Sequence, residues 1–231
     1  MSHRLHLTLA VICSLSGAAA FAQSRPPSAP WVREEIRSAV LGERRGILIA
    51  TPERYRNRPD SFAVLIVLDA QDRALFESAV ANARFLASRA EALELIVVGV
   101  ENSADRARDL TPRATGATAR RMPTAGGADQ FARFLSTELL PHIRARYRTR
   151  ALTLLAGHSL GGLFAIHVVA SGEPTYGAVI AMSPSIWWND STALVSYSDA
   201  ISRLPTPPRL FVTSGSLEGG LDRATRRFAE R

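Results

Sequence analysis

The stretch Ala151-Leu152-Thr153-Leu154-Leu155-Ala156-Gly157-His158-Ser159-Leu160-Gly161-Gly162-Leu163-Phe164-Ala165-Ile166 joins two apolar runs through a serine bracketed by glycines. The first run, Ala151 to Gly157, is short and mostly aliphatic, as a buried strand is; the second, Leu160 to Ser171, is long enough for a helix. Glycines on either side permit a bend too sharp for bulkier residues, so Ser159 would stand clear of the sheet edge with its hydroxyl exposed. G-x-S-x-G alone occurs by chance; its place between a buried strand and a helix makes Ser159 a candidate nucleophile. The competing reading, a glycine-rich phosphate cradle, lacks the G-x-G-x-x-G and P-loop spacings.

Outward from this turn the same alternation repeats. Phe62 to Leu68 is an unbroken apolar run suited to a strand covered on both faces. Asp72 to Ala90 has helical spacing, Leu93 to Val100 reads as a strand, and residues 101–127 as a long polar loop. Ala128 to Tyr147 is expected to be helical, followed beyond the serine turn by a strand at Tyr176 to Met182, a helix at Ala193 to Arg203 and a strand at Leu210 to Thr213. Glu34 to Val40 and Arg45 to Ala50 suggest a leading hairpin. Together these predict an α/β fold with a mostly parallel central sheet and helices on both faces. Leu221 to Arg231 begins a helical pattern with no closing strand after it, so the domain, residues 31–231, is expected to be truncated at its C-terminus. Residues 1–22 have the pattern of a secretory signal peptide, ending Ala20-Phe21-Ala22, and residues 23–30 form a Pro-rich linker. A periplasmic or secreted location follows, with no stable membrane span after cleavage.

The formal charge is +7, yet no Lys occurs and the arginines are scattered. A nucleic-acid surface would concentrate them with interleaved aromatics, so no nucleic-acid partner is expected. Cys13, inside the leader, is the single cysteine, which leaves no thiol catalyst and no disulfide framework. No metal-ligand cluster appears, and no cofactor is implied.

Acyl transfer at Ser159 would need N–H donors for an oxyanion. The backbone of Leu160 supplies one; the loop after an earlier strand, Leu68-Asp69-Ala70-Gln71, supplies the other from Ala70 or Gln71. Asp69 itself reads as a strand-end cap or turn residue. Those segments, with Arg106-Ala107-Arg108-Asp109-Leu110-Thr111-Pro112, Gly126-Gly127 and Ser183-Pro184-Ser185-Ile186-Trp187-Trp188, resemble the putative-esterase family of α/β-hydrolases, closest to its siderophore-esterase-like branch; feruloyl esterases and S-formylglutathione hydrolases are relatives. The resemblance implies a serine carboxylic-ester hydrolase acting on small-molecule esters. It assigns Arg106 to the oxyanion or an anionic substrate, against the alternative of a surface arginine pinning its loop. Trp187 and Trp188 either wall an aromatic pocket or pack a loop. The resemblance places the catalytic acid at Glu218, with Asp222 and Asp190 as competitors.

A serine hydroxyl needs a neighbouring imidazole. After the leader only His142, His158 and His167 remain, and none is placed to act as base: His142 is expected on the surface, His158 points away from its neighbour's side, and His167 lies ~12 Å along the following helix. Either the chain is incomplete or it is a hydrolase-like protein that binds without catalysis, and as written it is expected to be inactive or very weak as an esterase. Acyl transfer to an alcohol would use the same residues.

Overall fold

The computed structural model describes residues 31–230; the leader and linker lie outside the described residues. Seven strands form one sheet in the order β1-β2-β4-β3-β5-β6-β7. They are β1 (Val32–Arg37), β2 (Arg44–Ala50), β3 (Phe62–Val67), β4 (Leu95–Val100), β5 (Thr149–His158), β6 (Ala178–Met182) and β7 (Arg209–Thr213). β2 pairs antiparallel with β1 and β4, and every other pairing is parallel. The leading hairpin is shorter than expected: β1 stops at Arg37, because Ser38 turns the chain, its N–H donating to Glu43 O and its hydroxyl accepting from Leu41 N.

The period of two along a strand divides the core. Val64, Ile66 and Leu68 face the larger cluster with Phe131, Phe134, Phe164 and Ile166, whereas Leu65 and Val67 face Phe76 and Val80 of α1 (Arg73–Ser88). Asp72 caps α1 by accepting from Leu75 N at 3.2 Å. Helix α1 covers only part of its face: in register on β6 and β7, Ile180 is half-buried and Phe211 is 63% exposed.

Residues 101–127 are not one long loop. They contain α2 (Arg106–Leu110) and α3 (Gly116–Arg121), and Asp109, Leu110 and Thr111 are buried. The reason is a charge network invisible to hydropathy. Arg45, fully buried on β2, donates to Asp109 Oδ2 at 2.7 Å and to Glu43, and lies over the Phe131 ring at 5.3 Å. Arg108 closes the ring, donating to Asp109 Oδ1 at 2.8 Å and Glu43 Oε1 at 2.9 Å. After α4 (Ala128–Phe134) a π-helical stretch, Leu135–Leu139, leads into α5 (Leu140–Arg146), where Pro141 lacks the N–H a regular helix would use. Helix α6 (Leu160–Ala170) is apolar almost all round and buried accordingly; α7 (Thr192–Ser202) and α8 (Gly220–Ala229) complete the described fold. Among the described residues no helix is long and apolar enough to cross a membrane.

The ion-pair ring has a pH signature. Burial works to raise the Glu43 carboxyl, but Arg108 and Arg45 outweigh it and hold it below the usual carboxylate range. Hydrogen bonding from Arg33 holds Glu101 down as well, against a smaller opposing effect of burial. A carboxyl depressed in the folded state stabilises fully above its unfolded value, ~4.3, and loses that contribution as pH falls through the folded value. The urea midpoint is therefore expected to hold from neutrality to about pH 5 and to fall below that. Glu43→Gln should flatten the acid limb; an unchanged acid limb would contradict this account.

Candidate active site

Three non-glycine residues with positive φ stand at the carboxyl ends of parallel strands: Asp69 (62°) just beyond β3, Ser159 (58°) after β5 and Ser183 (43°) after β6. Such backbone costs about 1–3 kcal/mol per residue, and it gathers where an open α/β sheet binds ligands.

Ser159, with ψ of −116°, is held from several sides. Its N–H donates to Met182 O at 3.0 Å, and its carbonyl accepts from Leu163 N at 3.0 Å and Ser185 N at 3.1 Å. The glycines around it are required by close approach. A Cβ on Gly157 would lie 2.2 Å from the Gly161 carbonyl oxygen, and one on Gly161 would meet Asp69 Oδ2 at 3.0 Å. Gly157→Ala should therefore destabilise the fold by about 3 kcal/mol, the upper end for overpacking. A denaturation midpoint equal to that of the parent would show that the elbow is looser than described.

Leu160, the first residue of α6, has no intrahelical acceptor for its N–H, and among the described residues no other group takes it, which leaves it available beside Ser159. The two candidates for a second donor separate. The Ala70 N–H is taken by Val100 O at 3.0 Å, which corrects the expectation for that residue: the loop leaves β3 still bonded to β4. No acceptor takes the Gln71 N–H among the described residues, and the Gln71 side chain accepts from Asn102 N at 2.9 Å, tying its loop to the end of β4.

Asp69 opens the turn, as expected, its carbonyl accepting from Asp72 N at 3.0 Å. Its buried carboxylate accepts from Arg106 through Nε at 2.6 Å and Nη2 at 2.9 Å, and also from Asn102. Arg106 Nη2 further donates to His158 O at 3.2 Å, which sets the guanidinium beside the serine turn, one-third exposed. The tryptophans part company: Trp188 is buried with Leu163 and Ala193, while Trp187 is 48% exposed. Of the pair, only Trp187 presents surface to a ligand, which corrects the pocket-wall expectation for Trp188.

Glu218 lies next along the same edge. Ser183 N donates to Thr213 O at 2.7 Å, and Ser183 Oγ donates to Glu218 Oε1 at 2.8 Å, so the loops after β5, β6 and β7 are joined in sequence. Asp222 instead accepts from Ser214 Oγ at 2.7 Å and from Arg226, contacts that hold it below the usual carboxylate range. Asp190 is exposed on the turn before α7.

The histidines are engaged elsewhere. His167 Nε2 bonds Asp129 Oδ1 at 2.7 Å and its Nδ1 bonds Tyr197 Oη at 2.9 Å. His142 is half-buried rather than on the surface, its Nε2 2.9 Å from Glu34 Oε2. His158 is exposed, and no hydrogen bond joins any of the three to Ser159.

Sequence reasoning missed Ser185. It is 2% exposed and its Oγ lies 3.3 Å from Ser159 Oγ. The signals available were its segment's part in the family resemblance and its place: Ser183-Pro184-Ser185 leaves the strand next to the one bearing Ser159.

The family profile for esterases, described as putative esterase, matches residues 38–225. Among curated proteins, the chain is similar to a siderophore triacetylfusarinine C esterase of Aspergillus fumigatus, 41% identical over 92 residues, 36% of this chain and 28% of that protein. It is also similar to the siderophore enterobactin esterase of Emericella nidulans, 38% identical over 80 residues, 33% of this chain and 26% of that protein. The chain thus spans less than a third of the length of these two relatives. Among solved structures, the BES protein from Bacillus cereus superposes with a TM-score of 0.77 at 26% identity, over 90% of this chain and 83% of that one. The siderophore hydrolase EstB from Aspergillus nidulans gives 0.70 at 24% identity, over 89% and 81%.

Proposed function

This chain belongs to the putative-esterase family, and from that premise we propose that it is a carboxylic-ester hydrolase with Ser159 as nucleophile, acting on siderophore-type esters. The observation that carries the proposal is the strained Ser159 turn with the unclaimed N–H of Leu160 beside it. In this reading Ser159 Oγ attacks the ester carbonyl, the carbonyl oxygen takes the negative charge, and the N–H groups of Leu160 and Gln71 receive it. The alcohol leaves, and water releases the acyl group from Ser159. Arg106, oriented by Asp69, faces an anionic part of the substrate, and Trp187 offers a flat apolar surface to an aryl group. Glu218 is the carboxylate along the edge, and the imidazole it would orient is not among the described residues. The leader-like residues 1–22 support a periplasmic or secreted setting.

The engagement of His142 and His167 elsewhere, with His158 exposed and not bonded to Ser159, favours one second reading, a ligand-binding protein on the same fold. Reaction with a fluorophosphonate, mapped by mass spectrometry, tests the two. Labelling at Ser159 supports the hydrolase, while labelling elsewhere, or none after prolonged exposure, supports the binder.

A further inference from the structure

The Ser185 hydroxyl is buried, and Ser159 Oγ is its one hydrogen-bond partner among the described residues. A hydroxyl carries one proton to donate, and leaving that donor unmet in a buried place costs about 1–3 kcal/mol. Either hydroxyl could donate across this contact; donation by Ser185 satisfies its buried hydrogen, whereas donation by Ser159 would leave that hydrogen unmet. The backbone supports the same geometry, since Ser185 N donates to Ser159 O at 3.1 Å and Trp188 N to Ser185 O at 3.0 Å. Ser185 is thus held at both ends, by the residue it serves and by the turn that follows.

We propose that Ser185 is a further catalytic residue, the donor that orients the Ser159 nucleophile. This rests on the assignment of Ser159 as nucleophile. By occupying one lone pair of Ser159 Oγ, Ser185 directs the Ser159 hydrogen away from the β6 loop and toward the open side of the turn, where a base can take it. At 3.3 Å the contact is longer than a strong O–H···O bond, which suits this role. It is weak while Ser159 is neutral, and it strengthens when the Ser159 proton has left and Oγ carries negative charge. An interaction stronger in the transition state than in the resting state accelerates the step. Atoms balance simply: the bond from Oγ to the electrophile forms, the leaving group departs with its electron pair, the Ser159 proton goes to an imidazole outside the described residues or to a solvent water, and Ser185 keeps its own.

The test compares rates of labelling at Ser159 by a fluorophosphonate in the full chain and in Ser185→Ala, Ser185→Thr and Ser185→Val. Threonine and valine have nearly the same shape, and only threonine can donate. Loss of a donor to a developing charge should slow labelling by about tenfold or more in the alanine and valine variants, with threonine staying within about threefold of the parent. Equal rates for threonine and valine would overturn the role of Ser185 while leaving Ser159 as the nucleophile. A parent protein not labelled at Ser159 would overturn both. Melting temperatures of all four proteins separate a slower site from a damaged fold.

Discussion

Ser159→Ala is expected to bring hydrolysis of a short-chain aryl ester to the buffer background with the fold intact. With no imidazole beside Ser159 among the described residues the parent rate is itself low, so the drop in turnover is small and the loss of labelling is the large effect. The fold should survive because the Ser159 side chain contributes one long contact, to Ser185, whereas the turn is held by its backbone bonds to Met182, Leu163 and Ser185, which alanine keeps. The circular dichroism spectrum and melting temperature should therefore match the parent while fluorophosphonate labelling disappears. A variant that folds and hydrolyses as well as the parent would remove Ser159 from the chemistry, however well the elbow is formed.

The second large effect is on stability. Asp109→Ala should cost about 3 kcal/mol, near the low end for breaking a buried ion pair. Arg45 is almost entirely shielded from water and has two carboxylate partners, Asp109 and Glu43. Removing Asp109 leaves the guanidinium in place with Glu43 and the Glu101 carbonyl, 3.2 Å away, and those remaining partners keep the cost from reaching the full range. Arg108 loses its Asp109 bond at the same time. Joint replacement, Arg45→Met with Asp109→Leu, should recover most of the loss, since a buried pair exchanged for apolar groups of similar volume is often close to neutral. Urea melts of the single and double variants decide this. A double variant no better than the single would mean that the ring specifies the α2 turn rather than merely satisfying its own charges.

Much of the architecture was legible because it rests on local pattern. The unbroken runs of β3 and β4 announced strands covered on both faces, and the glycines at 157 and 161 announced a turn that a larger residue could not make. What was not legible depends on partners far apart in sequence. Residues 101–127 read as a polar loop because Arg108 and Asp109 count as hydrophilic until Arg45, more than sixty positions earlier, is known to meet them. Ala70 and Gln71 were indistinguishable in sequence, since only the pairing of the Ala70 N–H with Val100 decides which donor is spent. Asp69 read as a turn residue and is one, but its pairing with Arg106, thirty-seven positions later, could not be read from the sequence. Ser185 lies in a segment that carries the family resemblance, but nothing in that segment marked it as a neighbour of Ser159, which depends on the β5 and β6 ends lying side by side.

The left-handed backbone at Ser159 also bears on how this protein would respond to selection. Glycine adopts that conformation without penalty, so a glycine there would relax the elbow and make the chain harder to melt while deleting its hydroxyl. A campaign that ranks variants by heat tolerance alone would drift toward an inert molecule, and any screen for hardier forms has to reward turnover alongside endurance.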